Sequence, residues 1–214
     1  MTKKSYTRRE FLKVSGVVVA AGSVTCCGLG ALASRSPKVE TPEINYGKES
    51  IMSNRILVTY ATKAGSTAEI AAKIGEHLSE RGFAVDVMNV KSKADPKNYQ
   101  AVILGSCIRM GGWLPEMMDY INANQFTLNA MQAALFTVHM LNAGEDETSK
   151  AARTAYMDKV RALMPGSEEV YFLGAMDYSK LSLLDRFISK MVKSVESDQR
   201  DWDKIKNWSE TLVI

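Results

Sequence analysis

A short segment rich in hydroxyl side chains, Thr62-Lys63-Ala64-Gly65-Ser66-Thr67, is the first place where this sequence could do chemistry. It follows the apolar run 56–60 and leads directly into residues with helical periodicity. Hydroxyl donors, a glycine that lets backbone N–H groups turn inward and the positive end of a helix dipole together bind phosphate. The segment matches neither the dinucleotide-binding pattern nor the Walker pattern. The alternative is an ordinary helix cap made by Ser66 or Thr67.

Reactive side chains also follow the apolar runs 101–105 and 133–138. His139 can transfer protons near neutral pH, or it can be a hydrogen-bonded structural group. Cys107 is either a small packed residue or a reactive thiol. Trp113 either stacks on a bound ring or fills the loop against the sheet. The sequence has no cluster of cysteine, histidine and carboxylate with metal-ligand spacing, so no metal site is expected.

Five apolar runs alternate with segments of helical periodicity, and they span residues 56–60, 84–88, 101–105, 133–138 and 170–174. One helix is expected between the first two runs, ending at Arg81-Gly82, and others near residues 114–123, 145–164 and 200–212. This alternation predicts an α/β domain with a parallel sheet and helices on both faces. Ligands bind beyond the carboxyl ends of such strands. The loops after the first, third and fourth runs are therefore the expected functional site.

The hydroxyl-rich segment resembles the first loop of the flavodoxin family, Thr/Ser-x-Thr-Gly-x-Thr, and matches it at Thr62, Gly65 and Thr67. Ala64 departs from the pattern and removes one hydroxyl donor, which the charge of Lys63 would offset if it points inward. The resemblance implies a flavodoxin-like five-stranded parallel sheet of order 2-1-3-4-5. It also implies that residues 62–67 hold the phosphate of an FMN cofactor.

The same resemblance places two later loops beside the flavin. The residues that it implies there are Ser106, Cys107, Ile108, Arg109, Met110, Gly111, Val138, His139, Met140 and Asn142. Arg109 is a candidate catalytic residue, because a cation near the flavin would stabilise its reduced, anionic form. The alternative for Arg109 is a surface ion pair. His139 is the other catalytic candidate.

Three segments resemble one branch of the family, the menaquinone-dependent protoporphyrinogen dehydrogenases. They are Gly105–Gly111, in which Met110 replaces an aromatic residue, Asp185-Arg186-Phe187, and residues 197–202. The resemblance implies an FMN-dependent enzyme that passes electrons from an organic reductant to a quinone. One alternative is an exported electron-transfer module that serves a redox protein partner. Another is a binding protein that has lost FMN.

The N-terminal residues resemble a twin-arginine export signal, with Arg8-Arg9 before Phe11-Leu12-Lys13 and an uncharged stretch from Val14 to Ala33. We expect a signal peptide over residues 1–33, a flexible linker over 34–52 and the flavodoxin-like domain over 53–214. Lipidation at Cys27 is an alternative to cleavage after Ala33. The protein would then be periplasmic or on the outer face of the cytoplasmic membrane, with the twin-arginine machinery as a partner. Translation from Met52 would instead leave it cytoplasmic.

Composition and charge narrow the remaining partners. With 46% apolar and 24% charged residues, the chain is neither disordered nor collagenous. Residues 1–51 hold eight of the 27 Lys and Arg residues but four of the 24 Asp and Glu residues. The domain therefore has no basic excess, and no nucleic-acid partner is expected. An apolar stripe with basic neighbours over residues 180–195 is expected to pack on the domain, cover the flavin cleft or contact a membrane surface.

Overall fold

The computed structural model describes residues 41, 43–47, 55–183, 186–187 and 196–214. Its strands are β1 (Ile44–Tyr46), β2 (Arg55–Ala61), β3 (Ala84–Asn89), β4 (Ala101–Arg109), β5 (Gly112–Trp113), β6 (Gln132–His139), β7 (Glu168–Leu173), β8 (Ala175–Met176) and β9 (Ser197–Asp198). Its α-helices are α1 (Ser66–Glu80), α2 (Pro115–Asn129), α3 (Glu147–Ala155), α4 (Asp158–Leu163) and α5 (Trp202–Thr211). Short 3-10 helices cover Val90–Ser92, Pro96–Asn98 and Tyr178–Lys180.

Five strands pair in parallel in the order β3-β2-β4-β6-β7. This confirms the predicted α/β sheet of order 2-1-3-4-5. Every residue of β2 is buried, because helices cover both faces of the central strands. A parallel sheet needs that cover, since its strands are apolar on both sides.

Alternate residues of the strands supply two cores. On one face, Val58 and Phe136 pack in a cluster with Ile74 of α1 and Ile205 of α5. On the other face, residues of the same strands pack with Met117 of α2 and with Val160 of α4. Because side chains alternate along a strand, each strand contributes to both cores, and the carboxyl ends of β2, β4 and β6 are held side by side.

An additional strand, β1, lies antiparallel beside β3, and this departs from the expectation of a flexible linker over residues 34–52. Ile44 and Tyr46 pack against the core beside α1. Arg55 and Asp86 form a buried ion pair with 2.6 Å between Nη1 and Oδ1. Asn45 donates to the same carboxylate, and Arg55 donates to the Gly47 carbonyl at 3.1 Å. The pattern Ile-Asn-Tyr therefore forms an edge strand, because its apolar side chains reach the core and its polar one reaches a buried charge.

Several helix predictions need correction in their bounds. The helix expected near 114–123 extends to Asn129, and the one expected over 145–164 is divided into α3 and α4 around Tyr156 and Met157. The helix expected within 180–195 lies mostly outside the described residues, as do the predicted signal peptide and Met52. In the described part of the chain, we find no helix with the length and apolar character to cross a bilayer.

The contacts of β1 give a stability prediction. Removing residues 1–51 deletes β1, uncovers part of the core and takes two partners from the Arg55–Asp86 pair. We expect the free energy of unfolding to fall by about 3 kcal/mol, roughly the value of burying one large and one medium apolar side chain in part. Urea unfolding followed by circular dichroism measures it. A protein lacking only residues 1–40 keeps β1 and is the control; equal midpoints for the two truncations would contradict the assignment.

Candidate functional site

The loop between β2 and α1 has the conformation of an anion cradle. Gly65 adopts a positive φ of 96°, and its N–H donates to the Thr62 hydroxyl at 3.0 Å. Helix α1 then begins at Ser66, and no side chain caps its N-terminus. The alternative of a simple cap by Ser66 or Thr67 is therefore not what the structure has. The first N–H groups of the helix and the positive end of its dipole are presented to the loop.

Thr67 supplies a direct test of whether a phosphate fits. Its side chain is fully buried, and its Oγ1 makes no hydrogen bond of normal geometry with any described residue. The hydroxyl does lie close enough to the Cys107 sulfur to lower the pKa of that thiol slightly. An unpaired buried hydroxyl costs about 1–3 kcal/mol, so an acceptor beside it is favoured. A phosphate oxygen at the start of α1 meets this requirement.

The segment after β4 is a tight hairpin. Arg109 pairs with Gly112, and the two residues between them, Met110 and Gly111, have positive φ values of 52° and 78°. Such values are typical of two-residue turns between antiparallel strands. The hairpin therefore holds Arg109 and Met110 at the carboxyl edge of the sheet.

Two polar residues anchor that hairpin to its neighbours. Ser106 is buried, and its hydroxyl accepts the Leu114 N–H at 3.0 Å and donates to the Cys107 carbonyl at 2.9 Å. The Trp113 indole N–H donates to the Thr137 hydroxyl at 2.9 Å, and the ring is buried. Trp113 thus fills the loop against the sheet, and Ser106 supports the start of α2.

The end of β6 carries His139 in a fixed tautomer. Nδ1 lies 2.8 Å from the Leu141 carbonyl oxygen, which can only accept, so Nδ1 holds the proton and Nε2 is the acceptor of the neutral ring. Burial lowers the pKa of His139; the Leu141 bond raises it, and the charges of Arg153 and Lys204 lower it further. The imidazole is therefore neutral at neutral pH.

Asn142 holds the loop that follows. It has a positive φ of 59°, and its amide donates to the Tyr156 hydroxyl at 2.7 Å. Arg153 donates to the carbonyls of Asn142 and Gly144 at 3.0 and 2.7 Å. These bonds position Tyr156 near His139, with 6.2 Å between the two ring centroids.

The three loops enclose a mainly apolar cavity of about 330 Å³. The expected site residues that line it are Thr62, Lys63, Ala64, Ser66, Cys107, Ile108, Arg109, Met110, Gly111, Val138, His139 and Met140. Gly65, Thr67, Ser106 and Asn142 do not line it but support the loops that do. The cavity is thus bounded by hydroxyls and helix N–H groups at one end and by apolar side chains elsewhere.

Four lining residues were missed by sequence reasoning: Leu141, Tyr156, Ala175 and Met176. Leu181, which belongs to the apolar stripe that was expected to pack on the domain, cover the cleft or contact a membrane, also lines the cavity. Ala175, Met176 and Leu181 all belong to the segment after β7. That segment returns to the domain where β8 pairs with β9 and where Gln199 donates to the Gly174 carbonyl at 3.1 Å. Tyr156 had no local signal, because it reaches the cavity through a bend between α3 and α4.

Carboxylates pair with the cations nearest residues 62–67, the segment called the phosphate loop below. Nζ of Lys63 lies 3.5 Å from Oε1 of Glu116. This carboxylate therefore offsets part of the positive charge that Lys63 brings to the loop. Glu69, in the first turn of α1, pairs with Arg200 and lies 3.7 Å from Lys180. Within the described ranges, no three His, Cys, Asp or Glu side chains are grouped as metal ligands. Attraction for an anion therefore comes mainly from N–H groups and hydroxyls.

A family model and two named relatives match this chain over most of the domain. The family model described as "Flavodoxin domain" matches residues 57–203. The protein named protoporphyrinogen IX dehydrogenase [quinone] from Escherichia coli (strain K12) is 26% identical over 172 residues, which cover 74% of this chain and 94% of that protein. A protein of the same name from Leishmania major is 27% identical over 157 residues, covering 71% and 68%.

Among solved structures, a Fusobacterium nucleatum flavodoxin bound to flavin mononucleotide is similar, with a TM-score of 0.46 and 14% identity. The match covers 73% of this chain and 95% of that one. A flavodoxin from the domain Archaea has a TM-score of 0.43 and 17% identity, covering 72% and 93%.

The buried His139 gives a prediction for pH dependence. Its pKa is lower in the folded than in the unfolded protein, so the unfolded state takes up a proton first as the pH falls. The neutral His139 contributes fully to the free energy of unfolding above about pH 6.5. This contribution declines below that pH, by up to about 1.4 kcal/mol per pH unit. Urea unfolding at several pH values should show this slope in the wild type and a weaker slope in His139→Gln. A slope unchanged in His139→Gln would refute the assignment.

Proposed function

Because the chain belongs to the flavodoxin domain family, we propose that it binds FMN in the cavity at the carboxyl ends of β2, β4 and β6 and acts as an oxidoreductase. The observation that carries the proposal is the buried, unpaired hydroxyl of Thr67 at the uncapped start of α1. A phosphate supplies the acceptor that this hydroxyl lacks. The adjoining cavity is apolar, as a planar aromatic ring system requires.

The residues divide between the two parts of the cofactor. Residues 62–67 would hold the phosphate with backbone N–H groups and with the hydroxyls of Ser66 and Thr67. The hairpin around Met110, the end of β6 and the residues Ala175, Met176 and Leu181 would enclose the ring. When bound, FMN would supply one-electron and two-electron transfer.

The protein contributes position and electrostatics to that chemistry. The apolar walls exclude water from the reacting end of the cavity. Arg109 lines the cavity and supplies a cation that stabilises negative charge gained on reduction. His139 is neutral, with Nδ1–H fixed by Leu141, so it can accept a hydrogen bond or a proton only at Nε2.

We propose an organic reductant as electron donor and a quinone as acceptor. The relatives from E. coli and L. major support this through their names, and their likeness extends over most of the domain. Met110 stands where that branch carries an aromatic residue, so the donor need not be protoporphyrinogen. The alternative function is an electron-transfer module without a substrate of its own.

Export through the twin-arginine route is part of the proposal. The Arg8-Arg9 motif and the uncharged stretch behind it support a signal over residues 1–33. That machinery carries folded proteins, so a cofactor bound before export would remain in place. Cleavage after Ala33 would release the domain into the periplasm, whereas lipidation at Cys27 would anchor it at the outer face of the cytoplasmic membrane.

The cavity mouth also supports a peripheral membrane contact, which would admit a lipid-soluble quinone. Met110, which lines the cavity, is 89% exposed, and Leu183 and Phe187 are 65% and 62% exposed. The last two lie within six residues of Leu181, which also lines the cavity. Lys180 and Arg186 add positive charge to the same segment, as expected for a surface that meets anionic lipids.

FMN binding tests the core of the proposal. Apoprotein titrated with FMN should quench flavin fluorescence, whereas riboflavin, which lacks the phosphate, should bind at least tenfold more weakly. Thr67→Val should weaken FMN binding by about 10- to 100-fold, the value of a hydrogen bond to a charged group. It should not destabilise the apoprotein, because that hydroxyl is unpaired there.

Thr137→Val is the matched control for that substitution. Thr137 is equally buried, but its hydroxyl accepts from Trp113 and lies 3.0 Å from the Met157 sulfur. We expect Thr137→Val to lower the apoprotein's stability by about 1 kcal/mol. If neither FMN nor riboflavin bound, the proposed function would be wrong.

The electron donor and acceptor are tested separately. The FMN-loaded protein should oxidise porphyrinogens or another organic reductant only when a menaquinone analogue is present, measured by product fluorescence. Flavin binding without such turnover, together with reduction by a redox protein, would assign the chain to the electron-transfer class instead.

Vesicle binding tests the membrane contact. The protein should sediment with vesicles containing phosphatidylglycerol and less with phosphatidylcholine alone. The double variant Leu183→Ser, Phe187→Ser should lose most of that binding while keeping its flavin spectrum, because neither residue lines the cavity. Phe126→Ser is the control, because Phe126 is 90% exposed but lies on α2 and does not line the cavity. Equal losses in both variants would argue against a contact at the cavity mouth.

A further inference from the structure

Cys107 lies where the phosphate loop meets the cavity. It is half-buried and lines the cavity together with Thr62, Lys63 and Ser66. Among the residues that the structure describes, it is the one cysteine, and it is not in a disulfide. A small molecule that enters the cavity can therefore reach its sulfur. The two other cysteines of the sequence, Cys26 and Cys27, precede the domain.

Donors of the phosphate loop are directed at this sulfur. The Lys63 backbone N–H donates to it, and the buried Thr67 hydroxyl lies against it without a normal hydrogen bond. Both groups belong to the segment that would hold the cofactor phosphate. The sulfur therefore lies beside two donors of the loop, one of which, the Thr67 hydroxyl, still lacks an acceptor of normal geometry. This makes Cys107 different from a thiol packed only among apolar side chains.

We propose that Cys107 is a thiol-modification site that excludes the cofactor when modified and that the bound cofactor protects. The inference rests on the proposed FMN site. The co-reactant is a low-molecular-weight disulfide. The Cys107 thiol loses its proton to solvent, and the thiolate attacks one sulfur of the disulfide. A protein mixed disulfide forms, the original S–S bond breaks, and one equivalent of thiolate leaves.

A group attached to Cys107 and a bound cofactor phosphate exclude each other, because of their bulk and their charge. A group attached to Cys107 extends into the space beside Ser66 and Thr67, where the phosphate would lie. Bound phosphate in turn covers the sulfur and disfavours a thiolate through like-charge repulsion. Modification of the empty cradle is therefore a means of blocking cofactor loading, and reduction of the mixed disulfide restores it.

The thiol's acidity sets the speed of this reaction. Burial raises the pKa of Cys107 to about 11, while the Lys63 N–H lowers it and Glu116 raises it. Because the thiolate is the nucleophile, modification of the apoprotein should be slow at pH 7 and accelerate about tenfold per pH unit toward pH 9. Cys107 is therefore a slow, occupancy-dependent site.

The experiment uses the full-length protein with and without saturating FMN, treated with an aromatic disulfide at pH 8.5. Peptide mass mapping follows Cys107 separately from Cys26 and Cys27. We expect at least tenfold faster modification without FMN, at least tenfold weaker FMN binding after modification, and recovery on adding dithiothreitol. The FMN affinity of Cys107→Ser, whatever its value, should be the same before and after treatment.

The outcomes separate this inference from the proposed function. If FMN binds but Cys107 reacts equally fast with and without it, or if the modified protein keeps its FMN affinity, the inference is overturned and the FMN site stands. If Cys107 does not react even in the apoprotein at pH 9, the thiol is only a packed residue. If the untreated apoprotein binds no FMN, the failure is that of the proposed function.

Discussion

The left-handed turn at Gly65 is the constraint on which the site depends. Its positive φ lets the chain leave β2 and start α1 within four residues, and the Thr62 hydroxyl fixes the turn by accepting the Gly65 N–H. A side chain at this position would be strained, because L-residues disfavour that region. The same turn leaves the helix without a side-chain cap and turns Thr67 inward. The polar end of the cavity thus follows from a single backbone conformation between two apolar elements.

Fold and loop positions were predictable because they depend on local patterns. The apolar runs have the lengths and β-branched content of buried strands, and the helix after the first run has a clear apolar face. Because crossovers between parallel strands are right-handed, few sheet topologies are compatible with this order of strands and helices. Close packing also left a trace in the sequence: a Cβ at Gly105 would lie 1.9 Å from the Phe136 ring, so this strand position accepts only glycine. The loops that carry Thr62, Arg109 and His139 therefore fall at one edge of the sheet.

What sequence reasoning missed depends on contacts between distant residues. Trp113 bonds to Thr137, 24 positions later, and Tyr156 is placed by a bond from Asn142. Residues 44–46 read as linker because three residues are too few for a periodicity signal. They form a strand because Asp86, 41 positions after Asn45, needs polar partners in a buried setting. Patterns within a window of about ten residues hold no information on such pairings.

The charges around the cavity explain how one site can serve both binding and redox chemistry. The positively charged side chains beside the phosphate loop form ion pairs with carboxylates: Lys63 pairs with Glu116, and Arg200 pairs with Glu69 and Asp198. Binding of an anion at the loop thus relies on neutral donors, whose attraction is short-ranged and local to the first turn of α1.

The Glu69–Arg200 pair has a second consequence. It joins the first turn of the helix that presents those donors to the segment that returns from the cavity wall, next to the β8–β9 pairing. The phosphate loop and the wall that carries Ala175 and Met176 are therefore connected by an ion pair rather than by the sheet alone. Among the side chains that line the same cavity are the neutral His139 and the cation of Arg109. The site thus combines neutral donors that would hold an anion with an imidazole and a guanidinium that would respond to a change of charge on a bound ring.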